Sequence, residues 1–403
     1  MDLKTVIRLL KTSPWLAPVL AGIDALLWLT DRLAMLLAKR TAGQSRSLVV
    51  LRFDVLGDYL AFRGYLRYLK TQSAYRTHRL TLVGNQTFRG LAHQLDADIV
   101  DEFIWVDIYK LSTNLAYRFN VVQQLRQLGA ETVFCPTYSR VLVLDDFLAR
   151  ATNAPERIGC IGDGINLTRW EVGWGNRQYT RLLPTQAGYV FELIRNQQII
   201  SAFLQIDVPI LPPHIDPRRL PAVATPVPSV VLSLGAGQAF RVWPANRFAA
   251  VVQHLHTHYP GHTILLTGAP GEDVYADALL EQLPQPDWVQ NLTAKLSLLE
   301  LLAILRRADL LISNETGTVH LAAALHTPTI VISQGKSLVR WHPYPATLKA
   351  PIRHIYPPYI EQHRADLTAI AAQFNPESPF AITDVSAERV IEQLDLLLAQ
   401  KAG

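Results

Sequence analysis

Residues 309–333 read DLLISNETGTVHLAAALHTPTIVIS, and this stretch decides the fold of the C-terminal half. It begins with a short apolar run (309–313), continues with helical spacing (316–325) and ends on a β-branched run (329–333). Short apolar runs bounded by turn residues are typical of buried strands, and a strand that returns after a helix pairs in parallel. The stretch therefore predicts one strand–helix–strand unit of a parallel sheet.

The same alternation of strand and helix patterns extends through the rest of the chain. In the C-terminal half it predicts strands at 229–234 and 263–267 and helices at 245–256, 272–282 and 298–307. In the N-terminal half it predicts strands at 47–53, 80–83, 103–106 and 132–135, with helices through residue 70 and at 115–128. Each half therefore predicts a doubly wound, Rossmann-like α/β domain, in which ligands bind beyond the carboxyl ends of the strands.

A proline-rich segment separates the two halves. Seven prolines lie between Val208 and Ser229, and each one fixes φ and removes a backbone donor. We therefore expect an N-terminal domain at 46–207, a stiff linker at 208–229, a C-terminal domain at 230–403 and a cleft between the domains. The length of 403 residues is too great for one core, which favours the same division.

The composition excludes several classes of protein. Apolar residues make up 49% and charged residues 18%, which excludes a disordered chain or a coiled coil. Two cysteines are too few for a disulfide scaffold or a cysteine-rich metal centre. The net charge of +4 comes without a basic stripe, so no nucleic-acid partner is expected. Asp96 and Asp98 form a D-x-D triplet in a polar, surface-like stretch, and we predict no metal there.

Residues 1–45 form an extension ahead of the first predicted strand. Steps of three and four place apolar side chains on one helical face: Val19, Ile23, Leu26, Leu33 and Leu37. Asp24 interrupts the most apolar stretch, so a bilayer-spanning helix is not expected. One interpretation is an amphipathic helix within residues 4–40 that lies on an anionic membrane. The other is a helix that packs on its own domain or on a second subunit. The chain shows no cleavable signal pattern, so the expected location is cytoplasmic, peripheral to the inner membrane face in the first case.

The strongest candidate site follows the strand at 309–313. Backbone N–H groups at a helix start are unpaired and favour an anion, and Gly317 lets a phosphate approach the backbone. Thr316 and Thr318 add hydroxyl donors, and His320 lies one turn into the helix. The alternative is ordinary capping of the helix by Glu315 or Thr316.

Two further loops follow strands of the same half. Gly235 and Gly237 suggest a phosphate-facing loop, with Arg241 as the cation able to grip two phosphate oxygens. Phe240 stands where a dinucleotide fingerprint needs its third glycine, which disfavours a nicotinamide-dependent oxidoreductase. Glu272 follows the next strand, where an acidic residue often binds a ribose, although it equally suits the first turn of a helix.

The first strand tip of the N-terminal half carries a further candidate. Gly57 and Asp58 follow the strand at 47–53, and Asp58 starts a helix. Its carboxylate could be a general base for an incoming hydroxyl, or it could cap the helix. For Asp54, capping or turn formation is the simpler interpretation.

Four stretches, taken in order, resemble glycosyltransferase family 9, the ADP-heptose:lipopolysaccharide heptosyltransferase family. SNETGTVHLAAALHTPTIVI (313–332), with RWHPYP (340–345), is similar to the C-terminal signature of that family. The other stretches are VVLRFDVLGDYLAFRGYLRYLK (49–70), SLGAGQAFRVWPANRFAAVVQHL (233–255) and NLTAKLSLLELLAILRRADLLISN (291–314). The similarity covers roughly residues 47–400.

The resemblance implies a GT-B fold with the donor on the C-terminal domain. It also implies inverting transfer from a nucleotide-diphosphate sugar, without a metal or other cofactor. Asp58 matches the catalytic aspartate of the family, Arg241 its phosphate-binding basic residue, and Glu272 the acidic residue at the ribose. The diphosphate-binding block is matched by Thr316, Gly317, Thr318 and His320.

The implied activity is transfer of heptose or a related sugar, from an ADP-linked donor, to a hydroxyl of a glycan or glycolipid acceptor in envelope lipopolysaccharide synthesis. Two departures bear on this: Glu315 stands where the family usually has aspartate, and the short heptosyltransferases lack the extension through about residue 45. Alternatives on the same scaffold are a nucleotide-sugar-binding protein without transfer activity and a sugar-nucleotide epimerase.

Overall fold

The computed structural model describes residues 15–39, 44–284, 288–374 and 378–402 of the chain. The chain divides into two compact units. The first comprises residues 1–188 and 193–211, and the second comprises residues 189–192 and 212–403. The segment 208–229 is thus shared between the units: Tyr65 Oη accepts the Leu211 amide in the first, and the Ile215 amide donates to the Ala324 carbonyl in the second.

The first unit contains a parallel sheet of six strands in the order β3-β2-β1-β4-β5-β6. Its strands are β1 (Gln44–Arg52), β2 (Arg79–Asn85), β3 (Glu102–Val106), β4 (Ala130–Cys135), β5 (Glu156–Cys160) and β6 (Arg181–Leu183). Its helices are α1 (Ala17–Leu37), α2 (Leu56–Gln72), α3 (Arg89–Asp96), α4 (Ile108–Thr113), α5 (Leu115–Gln127), α6 (Phe147–Ala151), α7 (Arg169–Asn176) and α8 (Glu192–Leu204), whose first residue belongs to the second unit.

The second unit repeats this architecture with the order β12-β11-β10-β7-β8-β9, again all parallel. Its strands are β7 (Ser229–Ser233), β8 (Thr263–Thr267), β9 (Val289–Asn291), β10 (Leu310–Asn314), β11 (Thr329–Ile332) and β12 (Ile352–Ile355). Its helices are α9 (Ala245–His258), α10 (Asp273–Leu280), α11 (Leu298–Arg307), α12 (Gly317–Leu325), α13 (Pro358–Gln362), α14 (Leu367–Phe374) and α15 (Ala387–Ala402).

The predicted α/β class and the doubly wound order in both halves are confirmed. Every β7 and β10 side chain is buried, because helices cover both faces of a parallel sheet and exclude water from it. Sequence reasoning missed β5, β6, β9 and β12. These edge or near-edge strands are only three to five residues long and carry polar residues, so they lack the apolar run that identified the central strands.

Helix α1 packs on its own domain, but not through the predicted face. Its buried side chains are Asp24, Leu27, Asp31 and Ala34. The Asp31 carboxylate accepts from Nε and Nη2 of the fully buried Arg118 on α5, both at 2.6 Å. Such a bidentate pair holds the helix at one rotation about its axis. The five residues of the predicted face therefore lie outside this contact and are exposed, from 44% at Ile23 to 62% at Leu37.

Across the described ranges, no helix combines the length and apolar character needed to cross a bilayer. Pro18 lies in the first turn of α1, where its missing N–H breaks no intrahelical bond. Pro14, the other proline expected to divide this segment, lies outside the described residues.

Candidate functional site

Helix α12 begins at the carboxyl end of β10, beside β7, where the strand order of the second unit reverses. Thr316 is its N-cap, and the Thr316 hydroxyl accepts the Thr318 amide at 3.3 Å. The capping alternative therefore holds for the Thr318 amide. In the described part of the chain, the amides of Thr316 and Gly317 have no hydrogen-bond partner. Two backbone donors thus remain at this helix start for an anion.

Asn314, which sequence reasoning did not single out, ties this helix start to the loop after β7. Its fully buried side chain donates to the Leu234 carbonyl at 2.7 Å and accepts the Trp243 amide at 3.1 Å. An amide group that bonds both ends of a loop fixes its course. Gly235, Gly237 and Arg241 lie within this loop, so Asn314 sets their position relative to α12.

Glu315 lies at the centre of a partly buried charge cluster. Its carboxylate accepts from the Ser333 hydroxyl at 2.5 Å and lies 3.0 Å from Nε2 of His342. Nη1 of Arg241 lies 4.0 Å from its other oxygen. Burial by itself would raise the pKa of Glu315, but His342 and Arg241 outweigh burial and lower it. The longer side chain, in place of the family's usual aspartate, is thus held as a charged anchor beside Arg241.

The Arg241 guanidinium has donor capacity left over. Its Nε is buried and forms no hydrogen bond with the residues that the structure describes. The 4.0 Å approach to Glu315 is a charge contact rather than a hydrogen bond. An unpaired buried N–H is costly, and an incoming phosphate oxygen would satisfy it.

His320 lies one turn into α12, as predicted, and hydrogen-bonds the Tyr344 hydroxyl through Nδ1 at 2.6 Å. Burial lowers the pKa of His320 to about 4 and raises that of Tyr344 well above its usual value. Both groups are therefore neutral at pH 7. A phenol that donates to Nδ1 leaves the imidazole proton on Nε2.

Glu272 occupies the N-cap position of α10, but its carboxylate accepts the Ala269 amide at 2.7 Å instead of capping the helix. A Cβ at Gly235 would lie 1.9 Å from the Glu272 carboxyl carbon, and one at Gly268 would lie 3.1 Å from its side chain. These two glycines therefore make room for Glu272 between the tips of β7 and β8. Gly237 is different, because a Cβ there would meet nothing within 4 Å.

Lys336, which sequence reasoning also missed, brings a second cation to the loop after β7. Its ammonium lies 3.4 Å from Gln238 Oε1 and 4.9 Å from the centre of the Phe240 ring. The only sequence cue is that Lys336 follows the β11 strand tip, which neighbours β10 in the sheet.

In the first unit, Asp58 is half-buried in the first turn of α2, at the carboxyl end of β1. The N-cap of α2 is Val55, so Asp58 is not the cap. Arg52 organises this tip: its fully buried guanidinium donates to the Asp58 carbonyl at 3.0 Å and pairs with Asp54 at 3.2 Å. A carboxylate in the first turn is favoured by the helix dipole. Gly57 precedes it and is buried.

The expectation that Asp96 lies at the surface is wrong. Asp96 is fully buried and accepts hydrogen bonds from Tyr59 and Arg63. Asp98 is paired with Arg67 at 2.9 Å. Both carboxylates of the triplet therefore neutralise arginines of α2, which the sequence spacing does not reveal.

Solved structures define the class of the fold. The chain matches a glycosyl transferase of family 9 from Veillonella parvula with a TM-score of 0.66 and 17% identity, over 90% of this chain and 99% of that one. It also matches an ADP-heptose lipopolysaccharide heptosyltransferase II from Escherichia coli with a TM-score of 0.62 and 17% identity, over 89% and 100% of the two chains. The protein therefore has the GT-B fold of two Rossmann-like domains, as expected.

Sequence comparison then identifies the family of the C-terminal part. Residues 202–370 match the model of "Glycosyltransferase family 9 (heptosyltransferase)". This part of the chain is thus a glycosyltransferase family 9 domain, and the resemblance inferred from the motifs is confirmed. Lipopolysaccharide heptosyltransferase 3 of Escherichia coli is 32% identical over 116 residues, which is 28% of this chain and 34% of that protein. The match thus spans about a third of that relative's length.

Proposed function

We propose that the protein is an inverting, metal-independent glycosyltransferase. It transfers heptose or a related sugar from an ADP-linked donor to a hydroxyl of a glycan or glycolipid in lipopolysaccharide synthesis. The proposal includes a cytoplasmic location with peripheral attachment to the inner membrane face. A curated relative is a lipopolysaccharide heptosyltransferase, and a structural neighbour is an ADP-heptose lipopolysaccharide heptosyltransferase, which supports this donor and pathway.

One observation carries the proposal: unsatisfied donors converge at the carboxyl edge of the second sheet. The amides of Thr316 and Gly317 and the Nε of Arg241 lack partners in the described residues. Glu315 holds Arg241 at this edge, and Lys336 adds positive charge to the same loop. A diphosphate supplies the acceptor oxygens that these donors need.

In the proposed reaction, the acceptor oxygen attacks the anomeric carbon on the face opposite the diphosphate. The new carbon–oxygen bond forms as the bond to the diphosphate breaks, so the configuration inverts. Asp58 takes the proton of the acceptor hydroxyl as general base, which is worth about 10²–10⁴ in rate. Arg241 and the start of α12 stabilise the negative charge that grows on the departing nucleoside diphosphate. Fixed donors of this kind perform the role that a metal has in other transferases.

Calorimetry with ADP tests the donor site. Arg241→Ala should weaken ADP binding about tenfold or more, because a charge-assisted hydrogen bond contributes about 1.5–3 kcal/mol. Arg306→Ala, an exposed arginine on α11, is the matched control and should bind ADP like the wild type. Equal ADP affinity in Arg241→Ala and the wild type would contradict the assignment.

The same preparation tests transfer. Asp58→Asn should lower the acceptor-dependent release of ADP by about tenfold or more, while ADP affinity stays close to that of the wild type. Turnover equal to the wild type would remove Asp58 from the role of base. ADP release that does not require an acceptor would favour hydrolysis over transfer.

A further inference from the structure

We propose that α1 and α7 together form a preformed docking face for an anionic lipid surface. The inference deepens the peripheral attachment named in the proposed function, because it identifies a composite face instead of a single helix. It rests on three independent features of the first unit: an exposed apolar helix face, an indole cluster beside it, and the signs of the charges around both.

The exposed face of α1 carries large apolar side chains along its whole length. Its large side chains are between 44% and 78% exposed: Val19, Ile23, Leu26, Leu29, Leu33, Leu36 and Leu37. An exposed contiguous apolar face of this extent on a folded domain is typical of an interaction surface. Because Asp31 and Arg118 fix a different side of α1 within the domain, the face is held outward.

Helix α7 adds aromatic rings at the edge of this face. The rings of Trp28 on α1 and Trp174 on α7 lie 5.9 Å apart, and those of Trp170 and Trp174 lie 5.6 Å apart. Trp170 is 46% exposed. Indole rings are favoured at the level of lipid headgroups, where one side is apolar and the other is wet. The cluster therefore has the chemistry of a membrane interface.

The charges on these helices favour an anionic surface. Both acidic side chains of α1, Asp24 and Asp31, are buried on the inner side. Arg32 of α1 and Lys39, two residues after its end, are exposed, and the Arg32 guanidinium lies 5.6 Å from the centre of the Trp28 ring. Arg169 begins α7 and Arg177 follows its last residue. Both arginines are exposed, and the single acidic residue of α7, Glu171, is buried.

This charge pattern indicates which kind of partner covers the face. A second copy of the chain would bring the same arginines and lysine against each other in an isologous contact, which like charges oppose. Anionic headgroups complement them, and acyl chains cover the leucines without a matching protein surface. A lipid surface therefore fits both the apolar and the charged part of the face.

Co-sedimentation with lipid vesicles tests the proposal on the full chain. Vesicles of phosphatidylcholine with phosphatidylglycerol should bind the wild type at least tenfold more tightly than vesicles of phosphatidylcholine alone. Leu26→Glu and Leu33→Glu should each reduce binding about tenfold or more. Trp170→Ala, which lies on α7, should reduce vesicle binding several-fold if both helices form the face. Leu396→Glu is the matched control, since Leu396 is 45% exposed on α15 of the other unit, and it should bind like the wild type.

Charge reversal at exposed positions is a second test. It remains valid even if the glutamate substitutions within the apolar face disturb folding. Arg32→Glu with Lys39→Glu should remove the preference for phosphatidylglycerol. Wild-type binding by the Leu26 and Leu33 variants, or full binding by Trp170→Ala, would overturn the composite face. A dimer in solution that Leu33→Glu dissociates, without vesicle binding, would make a second copy the occupant and overturn the proposal. ADP affinity, measured on the same samples, separately tests the donor binding on which the proposed function rests, because no residue of this face belongs to the donor site.

Discussion

Gly235→Ala is the substitution for which the structure predicts the most specific consequence. The new methyl group would lie 1.9 Å from the Glu272 carboxyl carbon and 2.1 and 2.2 Å from its oxygens. Ordinary contacts between such atoms begin near 3.4 Å, so the carboxylate must move by more than about 1 Å. Because the Glu272 side chain is flexible, the carboxylate moves away and the hydrogen bond from the Ala269 amide, 2.7 Å long, is lost.

The expected magnitude follows from that lost contact. A hydrogen bond to a charged group contributes about 1.5–3 kcal/mol, and partial rehydration of the half-buried Glu272 puts the cost near the lower limit. The free energy of unfolding should therefore fall by about 1–2 kcal/mol, and Tm by roughly 2–4 °C per kcal/mol for a domain of this size. If Glu272 binds the donor ribose, ADP affinity should fall as well, by about tenfold.

Urea unfolding in a double-mutant cycle separates this clash from a general effect of alanine in the loop. With Glu272→Ala in the background, Gly235→Ala should cost less than about 0.5 kcal/mol, because the atoms that it meets are gone. Gly237→Ala, where a Cβ meets nothing within 4 Å, is the matched control and should change stability by less than about 0.5 kcal/mol. The reasoning would be refuted if the losses of unfolding free energy at Gly235 and Glu272 were additive in the double mutant. It would also be refuted if Gly237→Ala lowered the free energy of unfolding as much as Gly235→Ala does.

Two further predictions concern the buried charges. Asp31→Ala leaves the Arg118 guanidinium buried without its carboxylate, which should lower the free energy of unfolding by about 3–5 kcal/mol. Arg67→Ala is the control: it breaks an exposed ion pair and should lower the free energy of unfolding by less than about 1 kcal/mol. Similar denaturant midpoints for the two variants would contradict this prediction. Folding lowers the pKa of His320 from its usual 6.5 to about 4, so the unfolded chain binds more protons between these values and stability is lost as pH falls from 6.5 to 4. Urea titrations across this range should show a smaller loss for His320→Asn than for the wild type, and equal slopes would contradict the assignment.

Much of the candidate site in the second unit could be predicted from sequence because it is built from local patterns. In a parallel sheet, every strand that precedes a helix ends at the same edge of the sheet. Identifying the strands in the sequence therefore predicts that Gly235, Glu272 and Thr316 lie near one another. The contacts of Asn314 and Lys336 could not be found in this way. Each side chain reaches a loop 71 to 98 positions away, and only the order of the strands decides which loops are neighbours.

The N-terminal helix is a second case in which the sequence predicts an element but not its contacts. Its periodicity correctly predicted a helix with one strongly apolar face, because spacing along a helix is a local property. The periodicity did not show which side of the helix is buried, and the structure buries a different side, through Asp24, Leu27, Asp31 and Ala34. A bidentate ion pair between Asp31 and a residue 87 positions away decides the rotation of α1.

By itself, the sequence determined the α/β class, the two doubly wound domains with their central strands, and the family that residues 202–370 match, since these follow from local periodicity and contiguous motifs. Only the tertiary structure decided which groups lie next to each other across the strand tips and which side of α1 is exposed. The physical reason is that hydrogen bonds and ion pairs act over a few ångströms, whatever the separation of the residues along the chain.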